Sequence, residues 1–249
     1  MKIILKRLGY IKDQKGILNR YLREKEGWDV HLNKTRHFII NCLGDAENGK
    51  VAILGSGWLL DVPINELLEK FKQVNLYDII HPNKIKNQFK KQLNINFIQT
   101  DLTGGLVNEI YAIVKGKTKV DLNKLQPAND YDFSGYDFVI SLNLLNQLDI
   151  LLKENLLKYG NYSREELNLF SKKIQENHVN ILPKGKTCLI TDYTEYLYDE
   201  KNRFVNSNEL VFINFPESKK EDEWEWAFDT KMTYYPKRKT VFRVKAMLL

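Results

Sequence analysis

Lys50-Val51-Ala52-Ile53-Leu54-Gly55-Ser56-Gly57 is the stretch from which the rest of the chain can be read. Its first five residues form a short aliphatic run, the pattern of a strand buried on both faces. The glycines end that run. A glycine there lets the backbone turn through positive φ and lets a ligand come close to the main chain. Pro63 then opens a helical stretch with Leu67, Leu68 and Phe71 on one face.

The same alternation continues downstream. A second β run, Val74-Asn75-Leu76-Tyr77, closes on Asp78, and a charged helical stretch covers roughly 83 to 93. A third run, Ile95 to Ile98, leads to Thr100-Asp101, and 105 to 115 reads as a helix. Residues 116 to 135 are polar and turn-rich, as a loop insertion would be. The fourth run is Asp137 to Ser141. Two helices fill 143 to 181, the second opened by the capping box Ser163-Arg164-Glu165-Glu166. Pro183-Lys184-Gly185 turns into a fifth run, Thr187 to Thr191, and three more β runs follow at 210–213, 224–228 and 240–244. Strands alternating with helices predict a three-layer α/β sandwich with a mostly parallel sheet and right-handed crossovers. The β-only ending predicts a hairpin and an antiparallel C-terminal edge. Upstream, 10 to 43 reads as helical with a break at Gly27-Trp28-Asp29. The whole, residues 1–249, reads as one domain: a helical cap over 1–48 and an α/β core over 49–249.

Composition narrows the options. The chain has 38 Lys and Arg against 32 Asp and Glu, a net charge of +6, with no long block of one sign. The densest basic clusters are Lys90-Lys91 and Lys237-Arg238-Lys239. A solvated basic surface accounts for them, and a nucleic-acid partner has no further motif behind it. Cys42 and Cys188 form no CxxC pair and four histidines make no cluster, so no metal is expected. No run approaches the ~18 apolar residues of a membrane span. Met1 to Arg7 is interrupted by charge too early for a signal peptide, which predicts a cytoplasmic protein.

In open α/β sheets ligands sit at the carboxyl ends of the strands. The first strand ends in the glycine turn. The second ends in Asp78, 23 positions past Gly55, where a carboxylate can accept from two adjacent ribose hydroxyls. The third ends in Asp101, which suits an exocyclic adenine amine or, equally, the N-cap of the helix after it. The fourth runs into Ser141-Leu142-Asn143-Leu144-Leu145-Asn146-Gln147-Leu148, whose polar residues are candidates for a ligand mouth.

In order and spacing, Val51 to Gly57, Leu76-Tyr77-Asp78, Thr100-Asp101-Leu102 and Tyr136 to Asn143 resemble the successive motifs of the class I, Rossmann-like S-adenosylmethionine-dependent methyltransferases. Pro183-Lys184-Gly185 before Leu189 to Asp192 looks like that family's turn into its fifth strand. The resemblance covers about 50 to 192. It implies S-adenosylmethionine as cofactor. It puts Gly55, Ser56 and Gly57 at the methionine part, Asp78 on the ribose, Asp101 near the adenine, and Ser141 to Asn143 beneath the sulfonium, with Trp58, Ile79 and Leu102 also among the cofactor-binding residues. Two places depart from the pattern. Ile53 stands where the family often has an acid, and Leu59 stands where it often has a third glycine. The bulk of Trp58-Leu59-Leu60 must reshape the pocket.

Methyl transfer from a sulfonium asks mainly for positioning, so the absence of a triad does not count against it. Candidates for a base or acceptor contact are Tyr21, His31 and Asn146, with Asp192 and Tyr193 behind them; Arg20 and Trp28 come into play if the N-terminal region caps the pocket. His178 reads as structural, and His81 as a neighbour of the adenine end. A small-molecule acceptor is expected. Two rivals remain. One is a methyltransferase-like binding protein without catalysis, prompted by the basic charge and by Trp224, Trp226, Tyr234 and Tyr235. The other is an NAD(P)-dependent oxidoreductase, against which Leu60 stands where that fingerprint needs a small residue.

Overall fold

The computed structural model describes residues 1–44, 46–128 and 130–249. Its centre is one sheet. The parallel strands are β1 (Lys50–Leu54), β2 (Gln73–Asp78), β3 (Ile95–Gln99), β4 (Phe138–Leu142) and β5 (Thr187–Tyr198). They are followed by β6 (Phe204–Glu209), β7 (Lys220–Asp229) and β8 (Lys239–Leu248). The order is β3-β2-β1-β4-β5-β8-β7, with β6 paired to β5. The reversal at β1 and β4 is the topological switch of a Rossmann-like sheet, with the crevice at the strands' carboxyl ends. The antiparallel part is the C-terminal hairpin of β7 and β8, with β8 against β5 and β7 outside it, together with β6 on the far half of β5.

Strand periodicity sorts the core into two layers. Val51 and Ile53 face one way with Phe138, Ile140, Cys188 and Ile190, under α3 (Lys25–Leu43), α4 (Ile64–Lys70) and α5 (Asn83–Gln88). Ala52, Leu54, Val139 and Leu189 face the other way. There they meet α1 (Lys2–Arg7), α6 (Leu106–Gly116), α7 (Ile150–Tyr159) and α8 (Arg164–Asn180). The remaining helix, α2 (Tyr10–Arg23), lies over the switch-point crevice. The Ser163 capping box forms as read, with Ser163 Oγ accepting from Glu166 N at 3.1 Å and Ser163 N donating to Glu166 Oε2 at 2.7 Å. No helix among the described residues is long and apolar enough to cross a membrane.

Two local expectations are corrected. The break in the N-terminal helical region falls at Glu24, not at 27–29. Gly27 lies inside α3 because a Cβ there would stand 2.6 Å from the Ala227 carbonyl oxygen. The glycine allows helix and strand to touch, and Trp28 Nε1 donates to Phe228 O at 2.9 Å beside it. Glu24 serves the junction, accepting from Thr230 N and Oγ1 and from Lys231 N. The second correction concerns Leu210 to Ile213, which form no strand. Gln175 of α8 satisfies their backbone instead, donating to Leu210 O at 2.9 Å and accepting from Phe212 N at 2.7 Å. The sheet position belongs to Phe204–Glu209, a mostly exposed strand.

Candidate functional site

The β1–α4 turn is shaped by what presses on it. Gly55 has φ of +81°, and a Cβ there would approach Leu142 O to 2.8 Å, so glycine is required where β4 ends. The Gly57 amide donates to Asp78 Oδ2 at 2.7 Å, and Ile80 N donates to Asp78 Oδ1 at 3.1 Å. Leu59 keeps the left-handed conformation expected of a third glycine, with φ of +57°. That costs a non-glycine residue roughly 1–2 kcal/mol, and burial of the Leu59 side chain in the core offsets it. Trp58 fastens the cap: its Nε1 donates to Gln14 O at 2.7 Å, and Gln14 Nε2 donates to Ile80 O at 2.5 Å. The bulk that departs from the family pattern therefore ties α2 to the turn.

Between α2, α3 and the strand ends lies a cavity of about 740 Å³. Gly55, Ser56, Gly57, Trp58, Asp78, Ile79, Asp101, Leu102 and Asn143 all line it. Asp101 borders the cavity but is not the N-cap of α6, which is Gly105; its carboxylate braces the turn before that helix, accepting from Thr103 Oγ1 at 2.6 Å, Thr103 N at 3.0 Å and Val107 N at 3.3 Å. Asn143, with φ of +46°, donates through Nδ2 to Asp61 Oδ2 at 2.8 Å. Asp61 was not singled out by sequence, because it follows the glycine turn at no motif spacing.

Ser141 does not reach the cavity. Strand alternation turns it toward α8, where its Oγ lies 2.8 Å from His178 Nε2 in the buried core. Tyr21 also stays outside the lining; its hydroxyl donates to Asp29 Oδ1 at 3.2 Å. Tyr193 bonds Glu223 Oε2 at 3.1 Å on the outer side of the sheet. His81 sits behind the turn, 3.5 Å from Ser56 Oγ and 3.2 Å from Ile98 O.

His31, Asn146 and Asp192 do line the cavity. Asn146 Nδ2 donates to Asp192 Oδ2 at 2.8 Å. The His31 ring stacks on Trp226 at 4.0 Å and 7°, and its Nδ1 lies 3.0 Å from Trp224 Nε1. An indole N–H only donates, so Nδ1 accepts and the neutral ring carries its proton on Nε2. Burial holds its pKa down at about 3. His31 is thus a hydrogen-bond donor and not a base. Trp224 and Trp226 are buried, so two of the four aromatics read as a display surface belong to the interior.

Electrostatically the cavity opposes the chain. Eight carboxylates line it (Asp13, Asp61, Asp78, Asp101, Glu154, Asp192, Glu195, Glu209) against three cations, Arg20, Lys153 and Arg164. Burial pushes Asp61 and Asp78 up to about 6 and Asp192 up to about 7. Of nine buried side-chain polar atoms without a partner among the described residues, six belong to residues of this lining: Tyr10, Arg20, His31, Asn143, Asp192 and Trp226. Such atoms are rare in native interiors, and their gathering around one cavity makes it the candidate ligand site.

No family model and no curated protein matches the chain. Among solved structures, it is similar to a putative S-adenosylmethionine-dependent methyltransferase from Listeria monocytogenes, at 13% identity and a TM-score of 0.39, covering 88% of this chain and 98% of that one. It is similar to the N-methyltransferase NodS from Bradyrhizobium japonicum in complex with S-adenosylhomocysteine, at 11% identity and 0.36, covering 86% and 85%. It is also similar to a putative RNA methyltransferase from Pyrococcus horikoshii, at 12% identity and 0.37, covering 87% and 84%.

Proposed function

We propose that this protein is an S-adenosylmethionine-dependent methyltransferase acting on a small molecule, a single-domain and cytoplasmic enzyme. The observation that carries the reading is the acidic cavity at the switch point of a chain whose net charge is +6. A sulfonium ligand with its ammonium group brings the positive charge that such a lining lacks. A dinucleotide brings a pyrophosphate, which is disfavoured beside Asp61 and Asp78. The helix that would receive a pyrophosphate starts at Ile64, seven residues past Gly57, and is itself only seven residues long.

The residues fit the cofactor. Asn143 Oδ1 is a buried acceptor on the cavity wall without a partner among the described residues. In this reading Gly55 to Trp58, Asp61 and Asn143 hold the amino-acid end. Asp78 and Ile79 hold the ribose, and Asp101 and Leu102 hold the adenine. When bound, S-adenosylmethionine supplies an activated methyl group on sulfur. The chain's own part is positional. Trp58 and Gln14 tie α2 over the site, His31 offers its unpartnered Nε2 proton to a ligand, and Asp192, poised near 7 and held by Asn146, takes or holds a proton at Oδ1.

Calorimetric titration with S-adenosylhomocysteine and with NADH tests the reading. Micromolar binding of the first, about −8 kcal/mol, with none of the second is expected. Saturable NADH binding without a response to S-adenosylhomocysteine would overturn it in favour of an oxidoreductase.

A further inference from the structure

The cavity has a second end, away from the glycine turn. It is built by β5 where that strand leaves β4 and continues beside β6 and β8. Asp192 and Glu195 stand three residues apart there, a spacing that places two side chains on opposite faces of a regular strand. The register against β8 shifts between Asp192 and Thr194, so one residue, Tyr193, is bulged out. The bulge restores both carboxylates to one side, and both line the cavity. Asp192 and Glu195 are 3% and 4% exposed.

Neither acid has a salt bridge to a lysine or arginine among the described residues. Asn146 and Asn208 give them neutral hydrogen bonds, at 2.8 and 2.7 Å, and Asp192 Oδ1 has no partner. Two neighbouring buried carboxyl groups without a cation must keep a proton or take the charge from a ligand. The walls beside them are aromatic: Trp226, Phe228, Tyr234 and Tyr235 all line the cavity. Two of these rings already carry a cation. The Arg20 guanidinium lies 4.6 Å from the Phe228 centroid and 4.8 Å from that of Tyr234. Buried acids beside π faces are the chemistry that recognises an organic ammonium.

We propose that the Asp192–Glu195 end of the cavity binds a small organic ammonium, an aliphatic amine on a compact molecule. Naming that molecule the methyl acceptor rests on the methyltransferase reading; the binding itself does not.

The test uses intrinsic tryptophan fluorescence, since Trp28 and Trp226 line the cavity. Wild-type protein is titrated with phenethylammonium, with 2-phenylethanol and with 3-phenylpropanoate, three probes alike in shape and different in charge. Saturable quenching by the ammonium, at least tenfold tighter than by the alcohol and absent with the carboxylate, is expected. Asp192→Asn and Glu195→Gln should each weaken the ammonium at least fivefold while leaving the melting curve cooperative. Equal response to all three probes, tighter binding of the carboxylate, or no saturation overturns the proposal, and the wild-type comparison stands even if a variant fails to fold. S-adenosylhomocysteine is titrated into the same samples. Its binding without an ammonium response sinks this inference alone; an ammonium response without its binding sinks the methyltransferase reading and leaves the ammonium site standing.

Discussion

Asp78 closes the glycine turn of the strand beside its own: its Oδ2 accepts the Gly57 amide at 2.7 Å, while Oδ1 accepts the Ile80 amide at 3.1 Å. One carboxylate thus holds two loops, at the ends of β1 and β2, and borders the cavity between them. Asp78→Ala strands two backbone donors, each worth about 1–3 kcal/mol when left without a partner. The variant should melt several degrees lower and lose S-adenosylhomocysteine affinity at least tenfold. Asp78→Asn keeps one acceptor oxygen, so it should recover much of the stability and little of the affinity. Equal affinity in all three proteins, read by calorimetry, would remove Asp78 from the ligand site.

Asp192 gives a pH signature. Burial raises its pKa to about 7, well above the ordinary carboxylate value. In the folded state it holds its proton more tightly than in the unfolded chain, so stability falls as pH rises from about 4 to about 7 and the penalty is constant above that. Asp61 and Asp78 act with the same sign up to about 6. His31 and His178, held down at about 3 and about 4 by burial, act with the opposite sign and finish by the ordinary histidine value near 6.5. Comparing Asp192→Asn with wild type cancels those contributions. The variant should match wild type at pH 4, gain melting temperature relative to it as pH rises to 7, and hold a gain on the order of 10 °C at pH 8. A constant difference at all pH values would mean that Asp192 is not buried as a carboxylate.

Much of this fold and part of this site could be read without coordinates, and particular residues explain the limits. Strands β1 to β4 are short, mostly apolar and bounded by Gly, Asp or Asn, so local pattern and final position agree, whereas β5 runs on to Tyr198, past the apolar run read at Thr187 to Thr191. Leu210 to Ile213 have the same local pattern and form no strand, because Gln175, 35 residues upstream, satisfies their backbone. Nothing local records that partner. Gly27 looked like a helix break for the same reason: its cause, Ala227, lies 200 residues away. At the site, strand ends located Asp78 and Asp101, since topology alone puts strand ends at the crevice. Topology did not say which way Ser141 points; that follows from strand phase, and it points at His178. Asp61 and Glu195 were invisible because their roles come from a turn conformation and a β-bulge, which have no sequence signature here.

The Ser141–His178 pair supplies a control on that last point. The 2.8 Å contact is fully buried, and His178 Nδ1 has no other partner. Ser141→Ala leaves both ring nitrogens unsatisfied. It should cost about 1–3 kcal/mol of stability. Because Ser141 does not line the cavity, S-adenosylhomocysteine affinity should stay within twofold of wild type. A tenfold loss of affinity at unchanged stability would return Ser141 to the ligand site.

Two glycines in the N-terminal helices separate propensity from packing. Gly16 sits inside α2 with nothing within 4 Å of where a Cβ would be, whereas at Gly27 in α3 that Cβ would meet Ala227 O at 2.6 Å. Helix propensity alone favours alanine at both, by about 0.5–1 kcal/mol. At Gly16 nothing opposes it, so Gly16→Ala should raise the melting temperature by roughly 1–4 °C. At Gly27 the contact is to backbone and cannot be relieved by a rotamer change. Gly27→Ala must push α3 off β7, loosening the Trp28 to Phe228 hydrogen bond and the stack of His31 on Trp226. Those residues line the cavity, so the second variant should lose stability and ligand affinity together. Opposite signs for two chemically identical substitutions, read in one melting experiment, are the expected result; stabilisation by both would show that α3 does not touch β7 as described.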